Sequence, residues 1–216
     1  MPNATIFEPL SNDTVTAPVT VKAGYTTAAN FDMRCHVGST ADTMAHPHTP
    51  TSGTHTSTPI PASAATYTVE ARDDAASPGA MPLDSQPNVT VTGGTPPTTI
   101  DTVTVPPGPL PIVVGGPGAA RVKRTRVISG ECDPLLPSPV AYVICRIVEI
   151  AIKTRARAVI AAGADTVKAV GAKRKWQVQV EFMMDVTDPE LQYVARVTAY
   201  DKDDVSLGTQ TKYFPK

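Results

Sequence analysis

Aromatic side chains are scarce in this chain: one tryptophan, four phenylalanines and six tyrosines make up 5% of 216 residues. Any core must therefore be filled mainly by Val, Ile, Ala and Leu. Few rings are left over to stack on nucleic-acid bases. The three cysteines are too few, and odd in number, for a disulfide framework. No apolar run approaches the roughly 20 residues of a membrane-spanning helix. The opening Met1-Pro2-Asn3-Ala4-Thr5 has neither the basic nor the apolar region of a Sec-type leader. Three readings stay open: a chain that remains inside, one exported by another route, or one whose leader is missing. Charge of one sign is also absent overall. The 19 basic and 20 acidic residues exclude a chain-wide field for nucleic acid or membrane. There is no Gly-rich phosphate loop, no Gly-x-Ser-x-Gly elbow and no histidine set beside a nucleophile. Neither an enzyme nor a bound cofactor is expected.

What is abundant is strand and turn chemistry. Twenty-two prolines, 14 glycines and many threonines disfavour long helices. The clearest signal is Leu191 to Phe214. There Tyr193, Ala195, Val197 and Ala199 alternate with Val194, Arg196, Thr198 and Tyr200. That period of two lets one face be buried. The run Asp201 to Asp204 ends the strand, and Thr209 to Phe214 returns along it. Tyr67 to Asp74, followed by Asn88 to Thr92, is a fainter copy. Trp176, Val178, Val180 and Phe182 alternate with Gln177, Gln179 and Glu181, and Val140 to Ile150 is strongly apolar. Val143, Cys145, Ile147, Trp176, Val178, Val180, Val197 and Ala199 are the expected second core. Ala158 to Ala162 and Asp165 to Val170 read as separate strands around Gly163.

The fold class is all-β: two tandem immunoglobulin-like antiparallel β-sandwiches, each near the usual 100 residues, joined by a Pro/Gly-rich linker. The first sandwich spans residues 1–93, the linker 94–120 and the second sandwich 121–216. Linker prolines favour extended, semi-rigid geometry. Thr102 to Val105 or Ile112 to Val114 is alternatively an added edge strand, on its own domain or on a neighbour. Val127-Ile128 is read as the counterpart of Thr5-Ile6, and Pro139-Val140 as the counterpart of Pro18-Val19, an offset of 121. Residues 38–65, dominated by Gly, Ser, Thr, Pro and His, are a long loop or a weakly paired edge, expected to be the least stable part of an isolated chain.

The segment Leu191-Gln192-Tyr193-Val194-Ala195-Arg196-Val197-Thr198-Ala199 resembles the late strand of fibronectin type III and bacterial immunoglobulin-like domains. Glu8 to Val15, with Pro18 to Val21, is similar to the first strands of bacterial immunoglobulin-like repeats. The resemblance implies a tyrosine-corner role for Tyr193, and for Tyr67 in the first copy, with the hydroxyl bonding nearby backbone. The paired cysteines and core tryptophan of antibody domains are not reproduced. Repeats of this kind build stalks, adhesins, surface layers and enzyme appendages, so the family does not name a function.

Candidate sites are few. His36, His46, His48 and His55 lie within 20 residues, and His46-Pro47-His48 can present two imidazoles to a metal. Only Asp42 is near, so a solvated loop is preferred and no metal is assigned. Cys132 and Cys145 can face each other across a hairpin, although Cys145 sits where a small hydrophobe belongs. Cys35 reads as a buried thiol. Asn3, Asn12 and Asn88 each begin an Asn-x-Thr triplet, expected to be fortuitous in a threonine-rich chain. Asp201, Asp203 and Asp204 lack the glycine and bidentate glutamate of a calcium loop and read as a solvated, edge-protecting turn.

Charge is divided along the chain. Residues 1–93 hold three basic and eight acidic residues, −5, whereas residues 120–216 hold sixteen and eleven, +5. Lys173, Arg174 and Lys175 concentrate the positive end, and Asp73 and Asp74 the negative. This split predicts a homo-oligomer formed head to tail, with those five residues at the contact. The function expected is a non-catalytic structural subunit of an extracellular or cell-surface fibre or a similar self-assembling particle. The alternative is an adhesion module that binds a glycan or protein through residues 38–65, and an enzyme accessory domain comes third. No nucleic-acid partner is expected.

Overall fold

The computed structural model describes residues 3–26, 32–43, 53–74, 81–106, 121–136 and 138–216. Every regular element among them is a β-strand. The chain divides into two compact units, residues 1–95 with 151–156, and residues 96–150 with 157–216.

The second unit contains β9 (Thr102–Thr104), β10 (Arg121–Cys132), β11 (Tyr142–Ala151), β12 (Arg157–Thr166), β13 (Lys168–Val170), β14 (Lys173–Asp185), β15 (Leu191–Tyr200) and β16 (Ser206–Phe214). One sheet runs β13-β14-β10-β9 and the other β12-β11-β15-β16. Lettered in chain order A, B, C, C′, D, E, F and G, these are D-E-B-A and C′-C-F-G, an immunoglobulin-type arrangement. Alternation dictates the packing. Along β14, Trp176, Val178, Val180, Phe182 and Met184 point inward between polar neighbours. They meet Val143, Cys145 and Ile147 of β11 and Tyr193, Ala195, Val197 and Ala199 of β15. Every residue of the expected second core lies in this cluster. Gly130 of β10 carries no side chain because a Cβ there would sit 1.8 Å from the Thr99 carbonyl oxygen and 2.5 Å from Trp176 Cζ2. Trp176 Nε1 donates to Thr98 Oγ1 at 2.9 Å, so the one buried indole is also satisfied.

The first unit contains β1 (Asn3–Glu8), β2 (Thr14–Thr16), β3 (Lys22–Thr26), β4 (Met33–Val37), β5 (Thr40–Ala41), β6 (Gly53–Thr56), β7 (Ala65–Asp73) and β8 (Asp84–Thr92). Its sheets run β1-β3-β6 and β2-β8-β7-β4-β5. The short β2 lies parallel to β8, an exception among otherwise antiparallel ladders. The core joins Ala4, Ile6, Val19, Val21, Ala23, Met33, Cys35, Val69 and Val89 with their neighbours. Ile152 is buried with this unit, its carbonyl accepting from Thr5 Oγ1 at 2.7 Å.

Several expectations change. The offset of 121 pairs strands that do not correspond. By strand order β10 matches β3 and β11 matches β4, whereas Pro18-Val19 precedes β3 and Pro139-Val140 precedes β11. Thr5-Ile6 lies in β1, whose counterpart is β9, not the strand holding Val127-Ile128. Of residues 94–120, Thr102–Thr104 pairs with Val127, Ile128 and Ser129 of β10, and Ile100 is buried in the second core. Residues 107–120, including Ile112 to Val114, lie outside the described residues. Ala158 to Ala162 is continuous with Gly163 to Thr166 in the single strand β12, and β13 crosses to the other sheet. Within 38–65, β6 forms a sheet edge on β3 and Ile60 bridges Val19 in the core. His46 and His48 lie outside the described residues.

Candidate functional site

The second unit's first sheet brings three lysines together on its outer face. Lys173 and Lys175 alternate outward on β14, and Lys168 of β13 lies directly opposite Lys175. Like charges opposite one another repel, and carboxylates offset this. Lys173 Nζ donates to Glu131 Oε1 at 2.9 Å, and Lys175 Nζ lies 3.5 Å from the same oxygen. Lys168 Nζ is 3.8 Å from Asp165. The Lys173 bond holds the Glu131 carboxyl below its ordinary range, and Glu131 in turn raises the Lys173 ammonium. Arg174 turns away from this face and donates to the Val140 carbonyl at 2.8 Å.

Beside these lysines lies an open groove of about 510 Å³. Val170 and Lys168 form one wall, Asp101 and Ser129 the other, with Lys175 and Gln177 between them. Gly130, the buried Trp176 and Asp165 also line it. Two backbone N–H groups inside the groove are already paired. Gln177 N–H donates to Asp165 Oδ2 at 2.9 Å, and Asp101 N–H donates to the Ser129 carbonyl at 2.9 Å. Ser129 Oγ and Thr102 Oγ1 bond each other at 2.8 Å. The Gln177 side chain is exposed.

The acidic residues of the first unit serve another purpose. Asp13 accepts from Leu10 N–H at 2.9 Å, Asp42 from Cys35 N–H at 3.1 Å, Asp73 from Asp32 N–H at 3.3 Å and Asp84 from Ile6 N–H at 2.7 Å. All four are buried. Asp42 also meets His55 Nε2 at 3.2 Å. Asp74 lies 3.2 Å from His36 Nε2 and 3.7 Å from Arg34. Asp73 and Asp74 are therefore adjacent but unlike, the first buried and the second partly exposed. Sorted by compact unit, the charge split also shrinks: five basic against eight acidic residues give −3, and fourteen against twelve give +2.

Other candidates resolve into structure. Cys35, Cys132 and Cys145 are buried free thiols. Burial pushes Cys132 up to about 11 and Cys145 up to about 12. Asp201 is the pivot of its turn, accepting from the N–H groups of Asp203 and Val205 at 2.9 Å each and from Ser138 Oγ at 3.0 Å. Asp204 accepts from the Tyr142 hydroxyl at 2.7 Å, pushing that phenol up to about 12. No group of three potential metal ligands occurs among the described residues. Tyr193 takes the corner role: its hydroxyl accepts from Asp185 N–H at 2.8 Å and donates to Glu149 at 3.0 Å. Tyr67 instead bonds the Ser63 hydroxyl at 2.9 Å, a side chain and not backbone. Asn12 and Asn88 have φ of 66° and 60°, so these exposed asparagines occupy positive-φ positions.

No family model matches the chain, and a search of curated proteins finds no match. Solved structures with similarity include the fibronectin(III)-like modules of Clostridium thermocellum CbhA, at 16% identity over 99% of this chain and 94% of that one, with a TM-score of 0.26. Rst D1-D2 is similar at 11% identity over 97% of each chain, with a TM-score of 0.23. The assignment to tandem immunoglobulin-like sandwiches rests on the strand order of the two units.

Proposed function

We propose that the chain is a non-catalytic structural subunit of a surface or extracellular assembly, working through its sandwich faces. The observation that supports this reading is the use of its chemistry. The buried aspartates of the first unit hold loops by accepting backbone N–H groups, and His55 is spent on Asp42. Groups committed to the fold in this way are not poised as acids, bases or nucleophiles in a cleft. What remains for interaction is surface, and the units differ in net charge by sign.

Copies associate head to tail, the lysine-bearing face of one second unit approaching a first unit of the next copy. Lys173 and Lys175 supply the positive side and Asp74 the most accessible of the paired aspartates. Exposed pairs contribute only about 0–1 kcal/mol each, so charge sets polarity while buried apolar area supplies affinity. A heterologous contact closes a ring or extends a fibre. Sedimentation velocity of the full chain at low and high salt tests this. Lys173→Glu with Lys175→Glu is expected to weaken association, with Arg174 left intact because it supports the Val140 carbonyl. A chain that stays monomeric at high concentration and low salt defeats the proposal. Association indifferent to both reversal and salt removes its electrostatic polarity.

A further inference from the structure

We infer that the groove on the outer face of the β13-β14-β10-β9 sheet binds a neutral, hydroxyl-rich ligand, a short oligosaccharide segment. Its volume of about 510 Å³ falls within the range that holds small ligands. Three ligand chemistries would suit an open groove on a sheet face, and the residues choose among them.

A polyanion needs uncompensated cations. Here Lys168 faces Asp165, while Lys173 and Lys175 share Glu131, and the carboxylate of Asp101 stands in the opposite wall. An anionic chain in the groove would have to displace these carboxylates or lie against Asp101, whereas Lys173, which the proposed contact between copies also uses, lies outside the groove. An extended peptide adds to a sheet through free backbone donors and acceptors. A peptide lying in the groove, between the outer edges of β13 and β9, finds such groups taken: Gln177 N–H by Asp165, and the Ser129 carbonyl by Asp101 N–H.

What the groove does offer is side-chain hydrogen bonding of both kinds at close spacing. The Gln177 amide donates and accepts, Lys168 and Lys175 donate, and Asp101 accepts. A sugar hydroxyl also does both, so one saccharide can satisfy this alternation without bringing a charge. Val170, 54% exposed at the wall, provides an apolar contact for the C–H face of a ring. Trp176 is buried with its indole N–H committed to Thr98, so it does not provide a stacking platform. Binding is accordingly weak, because each exposed hydrogen bond contributes little net of the water it replaces, and repetition along an assembly would raise it through avidity.

This inference goes beyond the structural role and stands whether or not copies associate, because it is read on dilute monomer. The full ¹⁵N-labelled chain is titrated separately with cellotetraose, with the tetramer of N-acetylglucosamine and with a heparin-derived tetrasaccharide. The expected result is that at least one neutral tetrasaccharide shifts the amides of Ser129, Val170 and Gln177, with an affinity unchanged by added salt. Gln177→Ala lowers that affinity roughly fivefold, the value of one net hydrogen bond. Val170→Asp, at the β13 wall and on an exposed side chain, lowers it independently. If neither neutral sugar moves these amides, the inference is wrong. If only the heparin fragment moves them, and salt abolishes the effect, the face is a cationic patch and the inference is equally overturned.

Discussion

The two sandwiches share a strand order but not a way of being held together. The second unit packs Trp176, Phe182, Tyr193 and Phe214 among its aliphatic side chains, with strands up to the 13 residues of β14. Phe182 lies 6.1 Å from Tyr193 and 6.2 Å from Phe214, ring centre to ring centre. The first unit fully buries one described aromatic ring, Phe7, beside Gly24 and Ile152, while its main core cluster relies on Val, Ala, Ile, Met33 and Cys35. Its loops are instead secured by Asp13, Asp42, Asp73 and Asp84, each bonded to a backbone N–H. Aromatic area contributes much of a core's stability, whereas a buried carboxylate returns only what its hydrogen bonds exceed in desolvation. Because Asp13, Asp42, Asp73 and Asp84 are buried, the negative surface of the first unit falls to residues such as Asp74.

The largest effect expected is on the aromatic core. Trp176→Ala removes a side chain 2% exposed and should destabilise the second unit by about 3–5 kcal/mol. Chemical denaturation followed by circular dichroism measures it, and an unchanged midpoint would show that the indole is not packed there. The glycines come next and separate the units. At Gly130 an added methyl meets a backbone oxygen, which cannot rotate away. At Gly24 it meets Phe7 Cζ at 2.3 Å and Ile152 Cδ1 at 2.8 Å, the ends of side chains. Gly130→Ala should therefore reach or exceed the top of the roughly 1–3 kcal/mol cost of overpacking, and Gly24→Ala should fall lower in it. The reverse order would mean that β9 yields more readily than the first core does.

The tyrosines sharpen the same contrast at smaller scale. Tyr193→Phe strands the Asp185 N–H and loses the bond to Glu149, so about 1–2 kcal/mol should be lost from the second unit. Tyr67→Phe loses a bond to Ser63 at an exposed position and should change stability by no more than about 0.5 kcal/mol. Equal effects, measured by urea midpoints of the two variants, would deny Tyr193 its special role.

These positions also show what the sequence could and could not reveal. Alternation exposed β14 and β15 together with the second core, because a period of two at Trp176 to Phe182 and Tyr193 to Ala199 has few other solutions. The turn at Asp201 to Asp204 was readable from local chemistry, although Asp201 is buried and not solvated, because it accepts the turn's own N–H groups. The corner at Tyr193 was implied by the resemblance alone. β9 was legible only as the alternative to a linker: Thr-Val-Thr suggests an edge strand, but three residues beside prolines carry too little periodicity to outweigh a linker composition. The register between the two copies failed because Pro-Val recurs before strands of different rank, so matching dipeptides aligned β3 with β11. The groove left no linear trace either. Asp101, Ser129, Lys168 and Gln177 come from four separate stretches, and only the pairing of β13, β14, β10 and β9 brings them together. Net charge alone does not separate a buried, loop-holding aspartate such as Asp73 from a partly exposed one such as Asp74.

The smallest effect concerns acid, and it belongs to the second unit. Asp201 is held below the ordinary carboxylate range by the N–H of Val205, then by those of Asp203 and the Ser138 hydroxyl. Asp185 is held below it by the N–H of Asp188, then by that of Thr187. A carboxyl whose folded pKa is depressed contributes its full stability above its unfolded value, about 3.9 for aspartate, and loses it as pH falls through the folded value. The second unit should therefore keep its stability from neutrality down to about pH 4 on account of these groups, and weaken progressively below. Trp176 is the sole tryptophan, so its fluorescence in urea titrations at successive pH values reports on this unit. Asp201→Asn keeps an acceptor for the Asp203 and Val205 N–H groups but cannot titrate. The variant should be less stable than the parent at neutral pH and should show a shallower decline below about pH 4, so that the two curves converge in acid. Parallel curves across the whole range would show that the Asp201 charge adds nothing to the turn beyond its geometry.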